Sequence, residues 1–114
     1  MPVISPTTTL NIDGITAVSW VGITTGDTIQ EYIPRGLTGA VSSVQVTGTF
    51  GGATVTMTGS NDKINYVTLP DLSNAAISLT TAGLLDFTTA ALYVRPLISG
   101  GSANSIDVTL VMRG

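Results

Sequence analysis

The sequence predicts an all-β chain: one antiparallel β-sandwich, jelly-roll-like, with an extended N-terminal arm over residues 1–13 and the sandwich over 14–114. Three observations lead there. Apolar and hydroxyl residues alternate along short runs, the pattern of half-buried strands. Turn-forming pairs such as Asp13-Gly14, Gly51-Gly52 and Gly100-Gly101 punctuate these runs about every 8–12 residues. No apolar stripe at helical spacing is long enough for a helix, although the alanine pairs 75–76 and 90–91 would allow a single turn. About eight or nine short strands with long returns favour a jelly roll over an up-and-down barrel.

In the arm, Pro2 and Pro6 block regular pairing and Thr7 to Thr9 favour extended backbone. Its apolar residues Val3, Ile4, Leu10 and Ile12 fit either an inter-subunit strap or a loosely ordered terminus. Asp13-Gly14 turns into a strand over 15–23 (ITAVSWVGI). Thr25-Gly26-Asp27 turns again into 28–33 (TIQEYI), stopped by Pro34. There Ile29, Glu31 and Ile33 share one face and Thr28, Gln30 and Tyr32 the other. This mixed pattern predicts an edge strand, with Ile29, Glu31, Tyr32 and Ile33 open to another copy. Residues 35–40 form a glycine-containing connection.

Residues 41–60 (VSSVQVTGTFGGATVTMTGS) are the most patterned stretch. A hairpin turned at Gly51-Gly52 sets Thr49 opposite Thr54, Thr47 opposite Thr56 and Val46 opposite Met57. One face then carries Val44, Val46, Phe50, Val55 and Met57, and the other a ladder of threonines. Residues 60–63 form a tight loop, 64–69 a short strand closed by Pro70-Asp71, and 76–79 and 84–88 two more strands around Thr81-Ala82-Gly83. A last hairpin pairs 92–98 with 104–112 across residues 99–103. Its register sets Pro96 against Ile106 and Val94 against Val108, and it makes Arg95 and Asp107 a cross-strand ion pair. Pro96 has no donor and must look out of the ladder or mark a bulge.

The 114 residues make one domain. The chain has no cysteine and no histidine, which removes disulfides, thiolate chemistry, the usual general base and the commonest transition-metal ligand. Four basic residues against seven acidic ones argue against capture of nucleic acid. No apolar run reaches the ~18–20 residues that span a bilayer. The start lacks the basic and apolar regions of a secretory signal, and the lack of cysteine is compatible with a cytosolic origin. Only 10% of residues are charged and mean hydropathy is +0.45. Either hydroxyls keep this surface soluble, or much of it is covered by copies or by a larger body.

No catalytic, metal or cofactor set emerges. The carboxylates Glu31, Asp62, Asp71, Asp86 and Asp107 sit mostly at turns or opposite a basic residue, not as the pair about 5–9.5 Å apart that a glycosidase uses. Asn61, Asp62, Asn65 and Asp71 are too sparse in charge for a calcium site and read as turn formers. The glycine pairs join strands, so they do not cradle phosphate. Trp20 and Tyr66 are candidate sugar-binding platforms, or else core-edge aromatics with their polar tips satisfied.

The stretch GTFGGATVTMTGSNDKINYVTLPD, an LTTAG turn and ALYVRPLISGGSANSIDVTLVMRG resemble small structural proteins of tailed bacteriophages. Those proteins share a glycine-rich hairpin, a GSND-x-x-x-Y/W-x-x-L segment and a YVRP-x-x-x-GG segment before a final VTL strand. The likeness covers residues 41–114. The GSND…NY part also resembles discoidin-type sandwiches, which are longer and usually carry a disulfide. The phage resemblance implies a virion protein of the head decoration (cement) type, β-rich and often trimeric. Such a protein binds the major capsid protein on the capsid surface after synthesis in the host cytoplasm. The alternative is a carbohydrate-binding or host-attachment module of a phage head or tail fibre. No enzyme activity, cofactor, nucleic acid or membrane is expected.

Overall fold

The computed structural model describes residues 3–34 and 41–113, so the connection expected over 35–40 lies outside the described residues. Among the described residues there is no helix. The strands are β1 (Val3–Ile4), β2 (Thr7–Ile12), β3 (Ile15–Ile23), β4 (Thr28–Ile29), β5 (Ser42–Thr49) and β6 (Thr54–Ser60). They continue with β7 (Val67–Thr68), β8 (Ser78–Leu79), β9 (Gly83–Phe87), β10 (Tyr93–Ser99) and β11 (Ser105–Arg113).

A five-stranded antiparallel sheet runs β2-β3-β11-β5-β9. A second sheet is built on β6, with β10 on one side and the short β7 and β8 on the other. β1 and β4 form a parallel pair. Two backbone bonds tie that pair's chain to β10: Tyr32 N donates to Val94 O at 2.8 Å and Val94 N to Tyr32 O at 3.0 Å.

Alternation explains what each strand buries. On β11 the residues Ile106, Val108, Leu110 and Met112 are buried, while Asp107, Thr109 and Val111 between them are half-exposed. β5 contributes Val44 and Val46, β6 Val55 and Met57, and β10 Val94, so both sheets feed one apolar cluster with Trp20 and Phe87. Burying each such side chain stabilises the fold by about 1.5–3 kcal/mol.

Both expected hairpins are corrected by the strand pairing. β5 pairs with β11 and β9, and β6 with β10, so the strands flanking Gly51-Gly52 lie in different sheets. The turn itself is present: Ala53 N donates to Phe50 O at 2.9 Å, with φ of 58° at Gly51 and 85° at Gly52. Val46 and Met57 line a gap between the sheets too narrow for water, instead of sitting side by side. In the same way β10 and β11 part at residues 99–104 into separate sheets. The ion pair between Arg95 and Asp107 therefore does not form. Pro96 lies opposite Met57, with its ring in the core. The turn near Gly83 also crosses, since β8 joins β6 and β9 joins β5. Period-two alternation tells a residue's face, and that face points inward in a hairpin and in an inter-sheet arch alike.

Two arches meet at one end of the molecule. Ser102 N donates to Gly51 O at 3.0 Å, and a Cβ on Gly51 would run into the Ser102 carbonyl. Asn104, buried there, accepts from Thr25 N at 2.9 Å and donates to Thr25 Oγ1 at 2.6 Å.

The arm is not a free extension. Asp13 and Gly14, with φ of 50° and 78°, close a two-residue hairpin in which β2 pairs with β3, while β1 lies beside β4. Ile4 packs on the core, whereas Val3, Leu10 and Ile12 are exposed. The edge expected over 28–33 is likewise corrected. Its strand is only two residues long, β1 covers one side, and the Tyr32 bridge to Val94 covers the other. Ile29 is buried and Ile33 exposed, so they do not share a face. Of the strand expected over 64–69, only Val67–Thr68 forms a strand, and Leu69 N beyond it donates to Met57 O at 2.9 Å.

Candidate interaction surface

Three of the five candidate carboxylates, Asp62, Asp71 and Asp107, hold backbone. Asp62 Oδ1 accepts from Ile64 N at 2.9 Å, Asn65 N at 2.8 Å and Ser60 Oγ at 2.8 Å, and its Oδ2 accepts from Asn65 Nδ2 at 2.8 Å. These bonds curl residues 60–65 into a loop, which is why 64–66 do not join the sheet. They also hold the Asp62 carboxyl well below the usual carboxylate range, because each donor favours the ionised form. Asp71 is held down in the same way, chiefly by Ser73 Oγ at 2.6 Å and Ala75 N at 3.0 Å. Asp107 Oδ1 accepts from Gly22 N at 2.9 Å, bracing the irregularity where β3 and β11 slip register. Glu31 pairs with Lys63 at 3.5 Å. Among the described residues no three acidic side chains gather as metal ligands would.

The aromatic candidates part company. Trp20 is fully buried, and its Nε1 donates to Gln30 O at 2.8 Å, so it is a core residue and not a platform. Tyr66 lies on the outer side of the β6–β10 sheet with its ring against Arg95, whose guanidinium carbon is 4.0 Å from the ring centre. Arg95 Nη1 reaches Ile29 O at 3.2 Å, tying β10 to β4. Loss of hydration raises the Tyr66 phenol above its ordinary value; Arg95 opposes that shift and Glu31 adds to it.

The two sequence segments that carry the phage resemblance prove to be neighbours. Gly59 lies opposite Val94 and Ser60 opposite Tyr93 in the β6–β10 ladder, and Asn61 Oδ1 accepts from Leu92 N at 3.0 Å. The packing at Gly59 is tight, since a Cβ there would stand 3.0 Å from the side chains of Ala91 and Leu69. GSND and YVRP are thus halves of one packed unit.

Val21, Ile64, Val67 and Leu84 are each more than 60% exposed, and Leu72, Leu92, Ile12 and Val41 about half. Val67 borders a shallow depression over Gly59, Asn61 and Ala91, with Leu92 beside it in sequence. On the outer side of the five-stranded sheet, Leu10 lies opposite Ala17 and Ile12 opposite Ile15, with Val111 beyond Ala17. This apolar distribution is wider than the four arm residues singled out from the sequence. A signal for part of it was present: in the doublets Trp20-Val21 and Leu84-Leu85, alternation forces one apolar neighbour outward.

No protein-family model and no curated protein matches the chain. Among solved structures, the SPBc2 prophage-derived protein YomS has a similar fold, with a TM-score of 0.65 at 13% sequence identity. The match spans 90% of this chain and 98% of that one.

Proposed function

We propose that the chain is a bacteriophage structural protein of the head decoration type, one that binds an assembled head through protein–protein contacts and stabilises it. The observation that carries this reading is the spread of exposed apolar side chains over the two sheets of a chain with only 10% charged residues. Such surfaces mark contacts with other proteins. The sequence resemblance to phage structural proteins and the fold shared with a prophage-derived protein point the same way. The strand orders β3-β11-β5-β9 and β10-β6-β7, with Tyr32 bridged to Val94 at the open side of β10, support a jelly-roll reading, in which most connections cross from one sheet to the other.

In this role the partner is the major capsid protein and the location is the virion surface, after synthesis in the bacterial cytoplasm. Binding only to the assembled lattice stabilises that lattice by mass action at every site. Copies also associate with one another, and the trimer implied by the resemblance is one closed form. No chemical transformation belongs to the role, and no cofactor, nucleic acid or membrane. The carbohydrate-binding alternative is weakened, because Trp20 is enclosed and Tyr66 is covered by Arg95.

The test is to mix purified protein with phage heads that lack it, then follow co-sedimentation and the temperature at which the heads open. Saturable binding with a higher opening temperature supports the reading. Absence of binding to heads, with glycan-array binding abolished by Tyr66→Ala, would establish the attachment module instead.

A further inference from the structure

We propose that β2 is a self-association edge: two copies of the chain join β2 to β2 in antiparallel fashion about a two-fold axis at Asn11. The proposal does not depend on any capsid partner.

β2 forms one margin of the five-stranded sheet, and all six of its residues are exposed. Its sequence, TTTLNI, carries no charge and no proline, so two of the usual devices that blunt an edge are missing, and the third, an irregularity between Thr8 and Leu10, leaves residues 10–12 regular. The other margins are closed or short. β9, at the far side of the same sheet, has its Asp86 carbonyl taken by Leu72 N at 3.0 Å. β1, β7 and β8 are two residues each. Head-to-tail addition of β2 to the β9 of another copy is therefore obstructed, which leaves β2 to meet its own equivalent.

The backbone fixes where the axis falls. Ile12 and Ile15 close the two-residue turn, so the N–H and C=O of Ile12 point toward β3 and those of Asn11 point away from it. Placing the axis at Asn11 lets the two copies exchange both bonds there. The irregularity between Thr8 and Leu10 disturbs the ladder on the N-terminal side, so the regular contact is confined to residues 10–12 and their neighbours. In that register Leu10 lies opposite Ile12 of the second copy, twice, on the sheet's outer side. Both are now exposed, at 44% and 55%. Asp13 sits two residues from the axis, so the two Asp13 carboxylates are about 14 Å apart. That separation exceeds the screening length of about 8 Å at physiological salt, and repulsion does not oppose the pairing. The contact joins copies in pairs, alone or between larger rings.

The test exploits the absence of cysteine. Asn11→Cys places two thiols at a hydrogen-bonded antiparallel pair, where Cα atoms stand about 5.5 Å apart, within disulfide reach. Mild oxidation of this variant is expected to give a covalent dimer, while Thr47→Cys, exposed on another strand, stays uncrosslinked. Wild-type protein at about 100 µM is expected to show by light scattering the mass of two chains, or an even multiple, each of 11.6 kDa. Asn11→Pro removes only an outward N–H and Leu10→Lys puts a charge into the contact; each is expected to halve that mass with the fold intact by circular dichroism. A wild-type monomer at that concentration overturns the proposal. So does an oligomer that survives both substitutions, or one that Asn11→Cys fails to crosslink.

Discussion

The Arg95 guanidinium lies over the Tyr66 ring, 4.0 Å from its centre. The pair joins β10 to the 60–66 loop, and Arg95 extends the link to β4 through the Ile29 carbonyl. At a partly exposed site such a contact contributes about 0.5–1 kcal/mol. A double-mutant cycle with Tyr66→Leu and Arg95→Met should give a coupling energy in that range by urea unfolding. Because the folded-state pKa of Tyr66 is raised above 10.0, its share of stability is present below that pH and is lost as pH climbs through the raised value. Stability of wild type should fall more steeply than that of Tyr66→Leu in strong alkali.

Gly51 and Gly52 are adjacent, yet they should differ on substitution. Both need positive φ, but only at Gly51 does a Cβ meet backbone, the Ser102 carbonyl; at Gly52 the nearest atom is Gly101 Cα at 3.8 Å. Gly52→Ala should destabilise by about 1 kcal/mol and Gly51→Ala by about 2 kcal/mol or more, measured by chemical denaturation. Equal effects would mean that the two arches do not touch.

Acid should loosen the molecule through Asp62 and Asp71. Their pKa values lie below the ordinary 3.8, so the stability they supply is complete above that pH and drains away as pH falls through the lowered values. Asp62→Ala should lower the Tm at neutral pH and also flatten its fall between about pH 4 and 2. Scanning calorimetry across that interval reads both effects.

Trp20 reports on the core. Its emission should be blue-shifted and resist quenching by acrylamide until the chain unfolds. Trp20→Phe leaves the Gln30 carbonyl without its 2.8 Å donor and shrinks the ring; the loss should be about 2 kcal/mol.

How much of this was legible in the sequence depends on what kind of information a residue carries. Faces were legible: Val44, Val46, Val55 and Met57 are all buried as alternation requires. Turns were legible too, at Asp13-Gly14, Gly51-Gly52 and residues 99–103. Partners were not. Val46 and Met57, or Val94 and Val108, satisfy the same alternation whether they are cross-strand neighbours or look at one another across a core. The strand pairing, β5 with β11 and β6 with β10, distinguishes these cases, and no local pattern encodes a pairing between residues so distant in sequence. The Asp13-Gly14 hairpin could have been read in full, since a two-residue turn with apolar residues on both sides already implies that β2 returns along β3. For the surface, the sequence offered its scarcity of charge, but the edge expected over 28–33 is covered by β1 and by the Tyr32 bridge, and the bare edge is β2.

β11, which follows the other described strands in the chain, is flanked by β3 and β5, both made long before it. Within its sheet it alone joins the β2–β3 ribbon to the β5–β9 ribbon, and its Ile106, Val108 and Leu110 share the cluster that holds Trp20. A growing polypeptide of this kind acquires its shape late and all at once. Ribosome-bound fragments should therefore be degraded readily, and only finished molecules should survive to meet any partner.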